Sequence, residues 1–194
     1  MLQTLILGTA ALGALAVGGA YIAATRGVKT PDYTVLRADG DIELRRYPPL
    51  VLAQVTRGGS RRGAVQAGFS PLARYIFAKD RAGSKIAMTA PVVQKPSADG
   101  WAVSFILPAE VSEDDAPEPS GDVSLVTEPE RLMASLRFSG TWTDARFEAA
   151  TARLRRWIKA EGLTEKCAAE FGYYNDRFTP AFLRRNEVLL EVSE

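Results

Sequence analysis

The stretch Lys85-Ile86-Ala87-Met88-Thr89-Ala90-Pro91-Val92-Val93 constrains the fold more than any other part of the chain. In an extended backbone, successive side chains point to opposite sides. Ile86, Met88, Ala90 and Val92 therefore share one side, and Ala87, Thr89, Pro91 and Val93 the other. Small or apolar groups on both sides need close neighbours on both, so the stretch belongs inside a layered domain. Pro91 offers no amide donor and marks a strand edge or bulge. Met88 is unbranched and polarisable and suits the wall of an adaptable pocket; a plain core position suits it equally.

The N-terminus has a different character. Residues 2–25 contain no charged side chain. At about 1.5 Å per helical residue, the run can cross a hydrocarbon core of roughly 30 Å. We therefore expect residues 1–25 to form a membrane-spanning anchor. The alternative is a cleaved signal segment, with Gly18-Gly19-Ala20 as its small-residue site, which would make the domain secreted or periplasmic. The basic start usual in such signals is missing. Arg26 and Lys29 follow the run, but two charges leave the side of the membrane open. Residues 26–32 read as a linker and 33–194 as one domain.

Within the domain, Tyr33–Arg37, Ile42–Tyr47 and Leu50–Thr56 read as strands separated by Asp39-Gly40 and Pro48-Pro49. Ser60 caps a helix whose stripe is Ala64, Gly68, Leu72, Tyr75 and Ile76, with a kink or restart expected at Ser70-Pro71. Lys85–Val93 and Trp101–Leu107 follow as strands. Pro108–Asp122 holds three prolines and six carboxylates with no basic residue, and reads as an exposed loop. Val123–Thr127 and Leu132–Phe138 are two further strands. Thr143 or Asp144 opens a second helix with an apolar face of Phe147, Ala150, Leu154, Trp157 and Ile158, closed by Gly162. Phe171–Tyr174 and Glu187–Val192 complete the set. A helix follows strands in each half, so the class is α+β, built from two related units rather than from β-α-β crossovers.

Composition narrows the chemistry. The 24 Lys and Arg nearly cancel 23 Asp and Glu, so no global field draws nucleic acid. The chain has no histidine. That excludes imidazole-ligated zinc or haem, a Ser-His-Asp triad and histidine acid–base catalysis. Cys167 stands alone and has no visible activating partner. No paired catalytic constellation emerges, and we expect no enzyme.

Several motifs in order carry a resemblance. They are Ile42–Tyr47, Gly68-Phe69 with Leu72 and Tyr75-Ile76, Met88-Thr89-Ala90-Pro91-Val92, Phe138-Ser139-Gly140, Phe178-Thr179-Pro180, and Arg184-Arg185-Asn186-Glu187-Val188. From Tyr33 to Val192 the chain resembles the SOUL haem-binding protein family. The resemblance implies a distorted antiparallel β-barrel flanked by two helices and built from two similar halves. It also implies haem or another tetrapyrrole bound on an apolar surface beside the first helix. Members have been assigned histidine ligation or an apolar mode; this chain can use only the second. Asn175-Asp176-Arg177 stands where relatives often place prolines.

A porphyrin needs a broad apolar wall and a cation for its carboxylates, best met by guanidinium. Ala64, Phe69, Leu72 and Ile76, with Met88 behind them, are the candidate wall, and Arg61 and Arg62 the candidate cations. Ordinary core and a solvated helix end account for the same residues. Met88, Cys167 or a tyrosine are the available iron ligands. Arg184-Arg185 is expected to fix the last strand by pairing with Glu187 or an inner carboxylate. The leading function is a membrane-attached, non-enzymatic tetrapyrrole carrier. The alternative is a small-molecule-sensing or protein-interaction module, similar in fold to the effector-binding domains of regulators.

Overall fold

The strands run β1 (Thr34–Asp39), β2 (Ile42–Tyr47) and β3 (Leu50–Arg57), then helix α1 (Arg61–Ile76), β4 (Val92–Ser97), β5 (Gly100–Ile106), β6 (Ser124–Glu128) and β7 (Arg131–Phe138). Helix α2 (Asp144–Ala160), β8 (Thr164–Glu165), β9 (Glu170–Tyr173), a 3-10 turn at Ala181–Leu183 and β10 (Asn186–Ser193) complete the chain. The computed structural model describes residues 28–194. The expected anchor or signal, residues 1–25, and the start of the linker lie outside the described residues. Among the described residues no helix is long and apolar enough to cross a membrane.

One antiparallel sheet holds the strands in the order β1-β2-β7-β10-β9-β4-β5-β3-β6, with β8 on β10. From β2 to β6 the path has a two-fold pattern about the β4–β9 pair. Strands β3-β5-β4 on one side answer β7-β10-β9 on the other, and α1 rests on β3 and β5 as α2 rests on β7 and β10. The expected barrel is corrected here: the sheet is not closed. β1 pairs with β2 and β6 with β3, but the two ends do not pair with each other. β1 is exposed along its whole length and carries an irregularity between Val35 and Arg37, and β6 is short and partly exposed, features that suit free edges.

Alternation sets the two faces of the sheet. Ile42, Leu44, Ala53, Val55, Val103, Phe105, Ala134, Leu136, Val188 and Leu190 point to the helices and form the main core. The other face buries Tyr47, Met133 and Leu189 beside a polar network. There Arg45 donates to Glu187 at 2.8 and 3.2 Å, Tyr174 donates to the same carboxylate at 2.7 Å, and Arg185 at 2.7 Å. Arg185 thus fixes the last strand as expected, while Arg184 bonds the carbonyls of Thr179 and Arg177. Burial opposes charge on Glu187, but the hydrogen bonds and charges of Arg45 and Arg185 win, and its carboxyl titrates below the usual range.

Local signals explain the helix ends. Ser60 accepts from the Gly63 amide at 3.2 Å. At the end of α2, Gly162 adopts φ 72°, its amide bonds the Lys159 carbonyl and the Leu163 amide bonds Ile158, a Schellman closure. No break appears at Ser70-Pro71: α1 is one element. The carbonyl left without a donor by Pro71 belongs to Ala67, on the exposed side, where water can serve it. Lys85–Pro91 forms no strand, only an isolated bridge from Thr89 to Lys29, and β4 starts at Val92. Thr89 holds the stretch by donating to the Ile106 carbonyl at 2.5 Å. The loop of residues 108–122 is largely exposed, yet Val111 and Ala116 pack on the core and Tyr75 donates to the Pro117 carbonyl at 2.6 Å.

Gly68 is where α1 comes closest to the sheet. A Cβ there would lie 2.8 Å from Val103 Cβ. Gly68→Ala is therefore expected to destabilise the domain by about 1–2 kcal/mol, overpacking exceeding the gain in helix propensity. Urea midpoints test this, and adding Val103→Ala should recover part of the loss.

Candidate functional site

The β4–β9 pairing brings the N-termini of α1 and α2 together over the middle of the sheet. Arg61, the first residue of α1, and Asp144, the first of α2, form an ion pair at 2.7 Å. The Arg61 guanidinium also donates to the Tyr173 hydroxyl at 2.5 Å and the Trp142 carbonyl at 3.0 Å, and it lies 4.2 Å from the Phe147 ring centre. Tyr173 donates in turn to Gln94 at 2.8 Å, and Gln94 donates to the Arg61 carbonyl at 2.7 Å. Every polar group of this buried knot has a partner, so it fixes the approach of the two helices.

Burial pushes the Tyr173 phenol up to about 12 against the lowering effect of Arg61, and burial likewise pushes Tyr47 up to about 12. In the unfolded chain these phenols lose their protons near pH 10. Between pH 10 and 12 the folded form thus holds more protons, and stability falls as pH rises. Each tyrosine contributes a slope of about 1.4 kcal/mol per pH unit in that window and none below it. Urea unfolding from pH 8 to 12 checks this, and Tyr47→Phe should flatten the decline.

Beside the knot opens a cleft of about 540 Å³, lined by the cap Ser60 and Arg61 of α1, Asp144, Phe147, Glu148, Thr151, Ala152 and Arg155 of α2, and Pro96, Trp101, Ala168 and Phe171 from the sheet and its connections; its two carboxylates lie on the α2 side, Asp144 against Arg61. This volume lies within the roughly 300–1,000 Å³ common for small-molecule sites. Trp101 and Phe171, both partly exposed, stand 6.0 Å apart as an aromatic wall, and the buried Phe147 backs Phe171 edge to face at 5.1 Å. Small residues, Ala152 and Ala168, leave the space open. Arg155 stands exposed at the mouth, paired with Glu165 at 2.7 Å. A flat apolar molecule with carboxylates on one edge fits this chemistry: rings for its faces, guanidinium for its edge. No methionine, cysteine or tyrosine lines the cleft, so its donor set offers a metal no side-chain sulfur, imidazole or phenolate.

The seven anticipated site residues are not brought to one surface. Arg61 lines the cleft, but its charge is engaged by Asp144. Arg62 is exposed next to it. Ala64, Leu72 and Ile76 are at most 1% exposed and face the sheet as core. Phe69 is 42% exposed at the flank of α1, its ring 5.2 Å from that of the buried Phe105. Met88 is half-buried against the core. Sequence reasoning missed Trp101, Phe147, Phe171 and Arg155 as wall and mouth. The signal available was small residues, Ala152 and Ala168-Ala169, close in sequence to aromatic ones.

The family model described as SOUL heme-binding protein matches residues 28–191. No curated protein matches the chain significantly. Among solved structures, the chain is similar to the EcmrR C-terminal domain, with a TM-score of 0.59, 11% identity, and coverage of 84% of this chain and 98% of that one. EcmrR in its DNA complex matches with a TM-score of 0.61 at 11% identity over 93% of this chain and 65% of that one. An uncharacterized conserved protein from Listeria innocua gives 0.50 at 16% identity over 90% and 98% of the two chains. At these identities the likeness is one of fold.

Proposed function

The chain belongs to the SOUL heme-binding protein family, and from that premise we propose that it is a non-enzymatic carrier or buffer of haem or a related tetrapyrrole. The ligand sits in the cleft between the two helices, beside the start of α1. One observation carries this reading: an aromatic-walled hollow of about 540 Å³ with a guanidinium at its mouth. Phe171 and Trp101 cover the faces of the disc over the buried Phe147, Arg155 exchanges Glu165 for a propionate, and Arg61 holds the helices apart at the width of the cleft. A bound haem would bring redox and ligand-binding chemistry of its own; the residues of the chain bind, orient and shield. The uncharged N-terminal run supports attachment of the domain to a membrane in this reading.

Without an imidazole, iron contributes little to holding the ligand. Absorbance and fluorescence titrations of the chain with haem and with metal-free protoporphyrin test this. Both should saturate one site, with affinities within about threefold of each other. Haem binding tighter by two orders of magnitude, or no saturable binding of either, would overturn it. The sensing-module alternative rests on fold likeness alone, and no feature of the cleft favours it.

A further inference from the structure

Away from the cleft, the connection from β9 to β10 exposes two large apolar side chains, Phe178 at 79% and Phe182 at 76%. The backbone beneath them is held. Asp176 accepts from the amides of Phe178 and Thr179, each at 2.8 Å, and Arg184 bonds the carbonyls of Thr179 and Arg177, each at 2.8 Å. The Gly140 amide donates to the Ala181 carbonyl at 2.8 Å, tying the connection to the start of α2. The two rings therefore project from a braced platform rather than from a loose tail, and ordering the loop costs little more on binding.

Cations lie on and beside the platform. Arg177 lies 4.9 Å from the Phe178 ring centre, Arg184 lies 4.6 Å from that of Trp142, and Arg146 sits against Gly140. Asp176, the acidic residue of the platform, is occupied by the turn amides. Aromatic tips inside a basic rim complement an anionic lipid surface. The position of the chain's entry agrees. Val92 at the start of β4 pairs with Tyr173 at the end of β9, so the platform continues from the same end of the sheet as Ala90 and Pro91. Lys29 is bonded to Ala90 there, and Pro31 and Tyr174 line one small hollow. The described chain thus enters the domain at the end that carries Phe178 and Phe182, directly after the uncharged residues 2–25.

We propose that the Phe178–Phe182 platform is a membrane-contact surface: both rings insert at the headgroup boundary of an anionic bilayer while the exposed Arg177 and Arg146 meet lipid phosphates and Arg184 braces the backbone beneath. This contact is separate from the tetrapyrrole cleft and does not depend on it. Cys167, free and exposed, precedes β9 and lies at the opposite end of that strand.

The test is a nitroxide label read by paramagnetic resonance in the full chain mixed with phosphatidylcholine–phosphatidylglycerol vesicles. The label is placed at native Cys167 or, in Cys167→Ser, at Phe178→Cys. The ratio of oxygen to nickel-chelate accessibility at position 178 should rise at least about threefold on adding vesicles, while the label at Cys167 stays aqueous. Equal aqueous accessibility at both positions with vesicles present would overturn the proposal. So would a label at 178 already shielded in buffer alone, which would assign the rings to a protein contact.

Discussion

Ala152→Trp is expected to weaken porphyrin binding at least about tenfold, equivalent to roughly 1.4 kcal/mol, while leaving stability within about 0.5 kcal/mol of the parent. Ala152 is exposed on α2 and lines the cleft, so an indole there occupies the hollow without entering the core. Spectroscopic titration with metal-free protoporphyrin measures the loss, and urea unfolding confirms that the fold is retained. Arg155→Glu separates the edge from the faces. It should weaken binding of protoporphyrin about three- to tenfold yet leave its dimethyl ester unaffected, because the ester has no carboxylates to meet the guanidinium. Equal effects on acid and ester would remove Arg155 from the proposed role.

Arg45→Met is expected to cost about 3–5 kcal/mol, because it strands a buried carboxylate. Glu187 is fully buried, and Arg45, 3% exposed, supplies two of its hydrogen bonds. Arg185 remains in the variant but reaches Oε1 from a more exposed position, and Tyr174 alone serves Oε2. The double change Arg45→Met with Glu187→Met should cost less than Arg45→Met alone, since the fully buried carboxylate leaves with its main partner and Arg185, 27% exposed, can turn to solvent. Chemical denaturation of the four proteins in the cycle decides this. A double variant at least as unstable as the sum of the singles would show that the pair is not coupled.

The order of strands and helices was legible because burial imposes its period on sequence. Ile42 and Leu44 alternate to face the helices, and Phe147, Ala150, Leu154 and Trp157 recur at helical spacing. Gly162 announced a helix end and supplied one. The same periodicity cannot locate a site. Ala64, Leu72 and Ile76 form a stripe that must be covered, but spacing cannot tell a ligand from a sheet, and the sheet covers them. The cleft was hidden for a different reason. Its walls come from α1, α2, the β4–β5 hairpin and the residues around β9, and only the central β4–β9 pairing brings them together. β8, a two-residue strand, is too short to leave a period. The open sheet depends on what the two end strands leave unpaired, which no local pattern encodes.

Amide and indole nuclear magnetic resonance shifts on adding metal-free protoporphyrin test the location of the site most directly. The chain has three tryptophans, and Trp101 is the one in the cleft lining. The largest ring-current shifts should fall on the Trp101 indole and on the amides of Ser60, Arg61, Thr151, Ala152, Ala168 and Phe171. Shifts centred on Phe69 and Phe77 along the flank of α1, with the Trp101 indole unmoved, would contradict a tetrapyrrole held between the helices.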